Sequence, residues 1–263
     1  MDMHLQGKTA FVSGSTQGIG FAIASALAAE GARAIVNGRS PERVEAAVHE
    51  LRVQHPGAEH TGLCADFSAA GEVARLLEDL GDVDILVNNV GLFGLAEFDS
   101  VSDEEWARYL DVNVMSGVRL SRHVLGGMLQ RGWGRVLFIS SESGVNVPAD
   151  MVHYGVTKAA MIALGNGLAK LTRGTAVTVN TVLGGPTYSD GVAATVESIA
   201  RSQSAPVDAV KAAIIGQNTT TLLERFIAPS EIANLVTYLA SPLASATNGA
   251  AIRADGGVLT TML

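Results

Sequence analysis

Cysteine is almost missing from the 263 residues: Cys64 stands alone, so no internal disulfide can form and no set of neighbouring thiolates is available for zinc. Its plainest reading is a small hydrophobe at a strand end. Charge is also scarce, at 17% of residues, and it leans acidic, with 18 Lys and Arg against 26 Asp and Glu for a formal −8. A protein that holds a phosphate backbone needs a basic face to release counterions, and no run of Lys or Arg supplies one, so nucleic acid is not an expected partner. Long apolar runs of membrane-spanning length are lacking as well, so no membrane partner is expected. The opening Met1-Asp2-Met3-His4-Leu5-Gln6-Gly7-Lys8 has neither a basic region nor an apolar one of the signal-peptide kind, and a cytoplasmic location is expected. Nothing calls for a metal.

What is present is a hydrophobic content of 48% with 29 glycines, which suits a well-filled core rather than a disordered chain. Short runs rich in β-branched residues alternate with longer amphipathic stretches. Thr9-Ala10-Phe11-Val12 precedes a helix from about Ile19 to Glu30. Ala34-Ile35-Val36 precedes one from about Pro41 to Gln54. The rhythm continues through Asp84-Ile85-Leu86-Val87, a helix around Asp103 to Leu129, the strand Arg135 to Ile139, a helix around Met151 to Thr172, and Ala176 to Val179. Repeated βα units imply an α/β fold, doubly wound and Rossmann-type, with helices on both faces of a mainly parallel sheet. One domain over residues 1–263 is expected. The segment 184–227 breaks the rhythm and reads as a substrate lid, or as a linker, although only about 35 residues follow it. A helix near Pro229 to Leu239 and a last strand and turn over Ala251 to Gly257 close the chain.

After the first strand comes Ser13-Gly14-Ser15-Thr16-Gln17-Gly18-Ile19-Gly20, with a helix starting inside it. Glycines allow a tight turn and close approach of a pyrophosphate, and the free N–H groups of a helix start favour an anion. A purely structural strand-to-helix turn is the alternative. Tyr154 and Lys158 are four apart on a predicted helix, hence on one face, where an ammonium group can favour a phenolate. Most such pairs are ordinary surface neighbours. Ser141 lies 13 residues before Tyr154, at the end of a strand where α/β sheets bind ligands.

The Gly14, Gly18, Gly20 spacing resembles that of the short-chain dehydrogenase/reductase family, and the likeness covers nearly the whole chain. Asn88-Asn89-Val90-Gly91 is similar to the family's Asn-Asn-Ala-Gly element, and Tyr154 with Lys158 to its Tyr-x-x-x-Lys motif. Asn113, Ser141, Tyr154 and Lys158 follow in family order. The resemblance extends to oxoacyl-thioester reductases by analogy only. It implies a seven-stranded sheet and hydride transfer between a nicotinamide cofactor and a carbonyl or alcohol. Tyr154 would be the acid/base, Lys158 would lower its pKa and hold the ribose, and Ser141 would orient the substrate oxygen. Asn113 would kink its helix and support a proton relay, a buried structural amide being the rival reading. Cofactor contacts implied are Gly14, Ser15, Gln17, Gly18, Ile19, Gly20, Arg39, Asp66, Phe67, Asn88, Gly91, Tyr154, Lys158, Gly185, Thr187 and Ser189.

The second strand ends in Asn37-Gly38-Arg39-Ser40, without the carboxylate that would bond ribose hydroxyls, while Arg39 suits a 2′-phosphate. NADP(H) is therefore expected over NAD(H), which stays open. His153, beside Tyr154 but on another helix face, reads as a support behind the site or a pocket wall rather than a catalytic group. Gly184 stands where the family has proline, which should loosen the loop after it. The resemblance also implies a homodimer or homotetramer, and a non-catalytic NADP(H)-binding sensor is the alternative function.

Overall fold

The apolar runs of the sequence become the strands of a single sheet. The computed structural model describes residues 2–262. Its strands are β1 (Thr9–Val12), β2 (Arg33–Gly38), β3 (Thr61–Cys64), β4 (Ile85–Asn88), β5 (Trp133–Ser141), β6 (Ala176–Gly184) and β7 (Ala251–Ala254). They are hydrogen-bonded in the order β3-β2-β1-β4-β5-β6-β7, and every pairing is parallel. Cys64 ends β3 but is exposed there, because β3 is an edge strand.

Alternation along the strands divides the apolar side chains between two cores. Ala10, Val12, Val36, Val87, Ile139 and Val182 face helices α1 (Gly18–Ala29), α2 (Pro41–Gln54) and α9 (Pro229–Ala240). Phe11, Ile35, Leu86, Phe138 and Val179 face α3 (Ala70–Leu80), α5 (Ser116–Arg131) and α6 (Val152–Leu171). A period of two therefore suffices to assign each strand residue to its layer.

Two helical expectations need correcting. The helix expected around Asp103 to Leu129 is α4 (Asp103–Leu110) joined to α5 by a π-helical turn, Asp111–Met115. The widened turn spans Asn113, whose buried amide is engaged elsewhere, as described below. The segment 184–227 also holds regular structure that its sequence does not announce: α7 (Asp190–Gln203) and α8 (Val207–Gln217). Val196, Ala200 and Val210 are their buried contacts, joined by Tyr188, Val192, Ile199 and Ile214 in a small cluster separate from both main cores. No helix among the described residues is long and apolar enough to cross a membrane.

Candidate active site

The sheet reverses its direction of winding at β1, with β2 and β3 on one side and β4 to β7 on the other. A crevice opens at such a switch point beyond the carboxyl ends of the strands. The glycine-rich turn lies there. Gly14 and Gly18 have φ of +61°, a region closed to most side chains. A Cβ on Gly20 would lie 2.3 Å from the Gly14 carbonyl oxygen and 2.5 Å from Asn89 Nδ2, so only glycine lets α1 pack this closely on the turn. Gln17 sits at the N-cap of α1 without a side-chain cap, and the first turn contains no acidic residue. Its affinity for anions is visible all the same. The Asp190 carboxylate, from the start of α7, accepts the Gly18 N–H at 2.6 Å.

Internal bonds commit several of the predicted contact residues. Ser15 is fully buried; its hydroxyl donates to Val12 O at 2.6 Å and accepts from Asn37 N at 3.0 Å, fastening β1 to β2. Its backbone N–H is committed as well, donating to Asn37 O at 2.8 Å, so that Ser15 chiefly shapes the turn. The Asn88 amide turns inward to Ser121 (Nδ2 to Oγ, 3.3 Å), and Phe67 is buried in the second core. Neither side chain faces the crevice. Asn89, which the sequence reading passed over, donates through Nδ2 to Ser13 O and Gly14 O at 3.0 and 2.9 Å and so shapes the turn. Thr187 is buried, its hydroxyl donating to Gly185 O, and Ser189 occupies the N-cap of α7 close to Gly18.

At the end of β2, Arg39 is exposed, and its charge helps hold the Asp66 carboxyl below the usual range, after the larger effect of hydrogen bonds from Ser68. Arg43, one turn into α2, reaches back to Gln17 (Nη1 to Oε1, 3.3 Å). It is a second cation at this end of the crevice that the sequence reading missed, although its place one helical turn after Arg39 was a signal.

Across the turn, α6 brings Tyr154 and Lys158 toward the end of β5. Lys158 is buried, and Nζ donates to Ile139 O at 2.9 Å, lies 5.5 Å from the centre of the Tyr154 ring, and borders Gly91. Burial lowers its pKa to about 8, with the Glu142 carboxyl opposing. Burial raises the Tyr154 phenol above its ordinary range, opposed by hydrogen bonding with Ser141, while Glu142 and Tyr109 add to the rise. The lysine is not among the groups that move it in the protein alone, so the phenol is held neutral. Phe93 packs edge-on against Tyr154, ring centres 5.7 Å apart, and is itself exposed.

Asn113 is buried in the π-turn. Its Oδ1 accepts from Leu92 N at 2.6 Å, and Nδ2 donates to Leu92 O and Thr157 Oγ1 at 3.0 and 2.9 Å, tying the loop after β4 to α6. Both donors and one lone pair of the amide are thus committed, which holds the π-turn against the loop and α6. His153 is buried against Tyr109 and Trp106, behind the site rather than in its wall. Ser141 is the last residue of β5, and its hydroxyl bonds to Glu142, an acid the sequence reading did not single out although it stands between two serines. No cluster of three metal-ligating side chains occurs among the described residues.

A parallel sheet with a glycine-rich turn at its switch point, and a serine, tyrosine and lysine gathered beside that turn, defines a Rossmann-type oxidoreductase. The family model described as short chain dehydrogenase matches residues 8–200, and the chain belongs to that family. It is 44% identical to the oxidoreductase YvaG of Bacillus subtilis, over the full length of both chains. It is also 32% identical to the 3-oxoacyl-[acyl-carrier-protein] reductase FabG of Aquifex aeolicus, covering 98% of this chain and 100% of the relative. Among solved structures, L-sorbose reductase from Gluconobacter frateurii, complexed with NADPH and L-sorbose, superposes with a TM-score of 0.94 at 30% identity over 100% of both chains.

Proposed function

We propose that the protein interconverts a small carbonyl compound and its alcohol with NADP(H), using Tyr154 as the proton donor or acceptor. One observation carries this reading: a neutral phenol, the Ser141 hydroxyl and a buried lysine converge beside a glycine turn shaped for close approach of a backbone ligand. NADP(H), when bound, supplies or receives the hydride at the substrate carbon. The backbone of Gly14, Ser15, Gly18, Ile19 and Gly20 would face its pyrophosphate, with Gln17 beside it. Arg39 and Arg43 would face the 2′-phosphate, Asp66 and the backbone of Phe67 the adenine, and Gly91, Lys158, Gly185, Thr187 and Ser189 the nicotinamide end. Asn88 would act through its backbone alone.

In reduction, Tyr154 gives its proton to the substrate oxygen as negative charge develops there, while Ser141 donates a hydrogen bond to the same atom. In oxidation both steps run backward. Lys158, its pKa lowered to about 8 by burial, holds Nζ 5.5 Å from the Tyr154 ring centre, where it would meet the cofactor's ribose, and Asn113 keeps α6 in register with the loop after β4. Helices α7 and α8, which pack as their own small unit, would cover the substrate. The likeness to a reductase crystallised with L-sorbose makes neutral hydroxy ketones the first compounds to try. NADPH consumption across a panel of ketones, aldehydes and hydroxy ketones tests the proposal, and no consumption with any of them would favour a non-catalytic sensor. A homodimer or homotetramer is part of the proposal and is checked by sedimentation equilibrium.

Three substitutions probe the cofactor end. A charge-assisted hydrogen bond contributes about 1.5–3 kcal/mol, so Arg39→Ala and Arg43→Ala should each weaken NADPH binding roughly tenfold or more and leave NADH nearly untouched. Fluorescence titration with each cofactor decides, and an equal loss for both would remove the phosphate role. Gly184, the last residue of β6, has room for a Cβ, with only Ile232 Cδ1 at 3.6 Å and Ser140 O at 3.8 Å nearby. Proline there would restrict the loop at little cost in packing and should tighten NADPH binding about two- to fivefold. An unchanged or weaker dissociation constant would count against the looseness ascribed to this glycine.

A further inference from the structure

Glu142 is a partly buried carboxyl that the proposed chemistry does not use, and it lies against the residue meant to hold the substrate oxygen. It occupies the short turn Glu142–Gly144 that follows β5. The Ser141 hydroxyl donates to Oε2, the Ser143 hydroxyl donates to Oε1 at 3.2 Å, and Ser141 Oγ in turn accepts the Ser143 N–H at 3.1 Å. A serine hydroxyl has one proton and two lone pairs. With the carboxylate ionised, the proton of Ser141 is committed to Glu142, one lone pair is taken by Ser143, and only the other lone pair remains for a ligand. Ser141 can then accept a hydrogen bond from an alcohol but cannot donate one to a carbonyl. With the carboxyl protonated the order reverses: Glu142 donates to Ser141, both lone pairs are filled, and the serine proton is free to point at a carbonyl oxygen or at Tyr154.

We propose that Glu142 is a positioning residue whose proton frees the Ser141 hydroxyl to donate to the substrate oxygen, so that reduction and oxidation, which share one transition state, both draw on the protonated carboxyl. This rests on the roles given above to Ser141 and Tyr154. Burial supports it by raising the Glu142 pKa above the ordinary carboxylate range, against the lowering effect of hydrogen bonds from Ser141 and Ser143. The groups that face the turn are few. Tyr154 and Lys158 act on it from α6, Tyr109 of α4 acts through Tyr154, and the adjoining end of β6, Leu183-Gly184, carries no titratable group. His153 faces away, toward Tyr109 and Trp106.

The first test needs no turnover. Infrared difference spectra of the cofactor-free protein, wild type minus Glu142→Gln, should show a protonated carboxyl persisting at pH values above 4.5, the ordinary glutamate pKa. Ser141→Ala, by removing a bond to the ionised form, should move that titration upward. A carboxyl that titrates in the ordinary range, or one indifferent to Ser141→Ala, would overturn the proposal even if the enzyme is active. The second test uses NADPH with a reducible hydroxy ketone and NADP with its alcohol. In the wild type, kcat/KM for reduction should fall with rising pH through the midpoint seen in the infrared, and the same limb should appear in oxidation. Glu142→Gln and Glu142→Ala should both lose that limb. In the glutamine variant, whose amide can donate to Ser141 at every pH, both directions should keep their acid-side rate at the alkaline end, about tenfold above wild type there. Variants that keep the wild-type midpoint in both directions would refute the coupling. An infrared titration as expected with no turnover of any carbonyl would retain the Glu142–Ser141 coupling and reject the enzymatic roles on which its consequence depends.

Discussion

Replacing Tyr154 with phenylalanine is expected to cut turnover about a thousandfold while leaving the NADPH dissociation constant within about twofold of wild type. A positioned acid/base contributes roughly 10²–10⁴ in rate, and the substitution removes only the hydroxyl. The ring itself should stay in place, since its edge-on contact with Phe93 at 5.7 Å does not involve the oxygen. Steady-state kinetics with NADPH and an active ketone, together with cofactor titration of the same variant, separate the two effects. A variant that retains more than a tenth of the wild-type rate would remove the phenol from the chemistry. Loss of cofactor binding in parallel would make it a structural residue.

Lys158→Met should lower turnover by about two orders of magnitude and yet stabilise the fold at neutral pH. The ammonium group is buried beside one carbonyl, and its pKa falls from 10.5 to about 8, which corresponds to roughly 3 kcal/mol held against the folded state. The unfolded chain keeps this proton up to about pH 10.5 and the folded one only to about pH 8, so folding releases it between those values and stability rises with pH. Below pH 8 the cost is carried in full. Near pH 10 and above, the Tyr154 phenol, held protonated by the fold, opposes the trend. Methionine removes the buried charge but leaves Ile139 O without its donor, a loss of about 1 kcal/mol, so a net gain of about 2 kcal/mol is expected at pH 7. Denaturant titration at pH 7 and pH 9.5 should show the variant ahead at the lower pH and the gap narrowing at the higher. A variant less stable at both, by the same amount, would mean that Lys158 is a net structural asset.

That Lys158 is buried at a cost could not be read from the sequence, because burial is a property of the assembled layers. Other features could. Six of the seven strands announced themselves through short apolar runs, the parallel sheet through the βα rhythm, and the grouping of Ser141, Tyr154 and Lys158 at one edge through the family resemblance that their spacing carries. Where the reading fell short, local pattern and tertiary use diverged. The apolar pattern runs through 111–115, so periodicity did not mark the π-turn, and only the family resemblance pointed to a kink at Asn113. Helices α7 and α8 are built on few buried side chains, Val196, Ala200, Val210 and Ile215, among alanines and serines, and such faces barely differ from loop composition. Asn88 and Asn89 are adjacent and chemically identical, yet one turns into the core and the other builds the glycine turn; only the strand's alternation, followed to its last residue, distinguishes them. Glu142 escaped notice because an acid after a strand is usually solvated, and its significance depends on the Ser141 hydroxyl being within reach.

Direct hydride transfer is the central claim, and it is tested most plainly by running the reduction with NADPH deuterated at the nicotinamide C4, each face in turn, and weighing the alcohol formed from an active hydroxy ketone. One of the two labelled cofactors should deliver a single deuterium to the carbinol carbon, with none lost to water. Product without deuterium from either cofactor, or deuterium recovered in solvent, would contradict it.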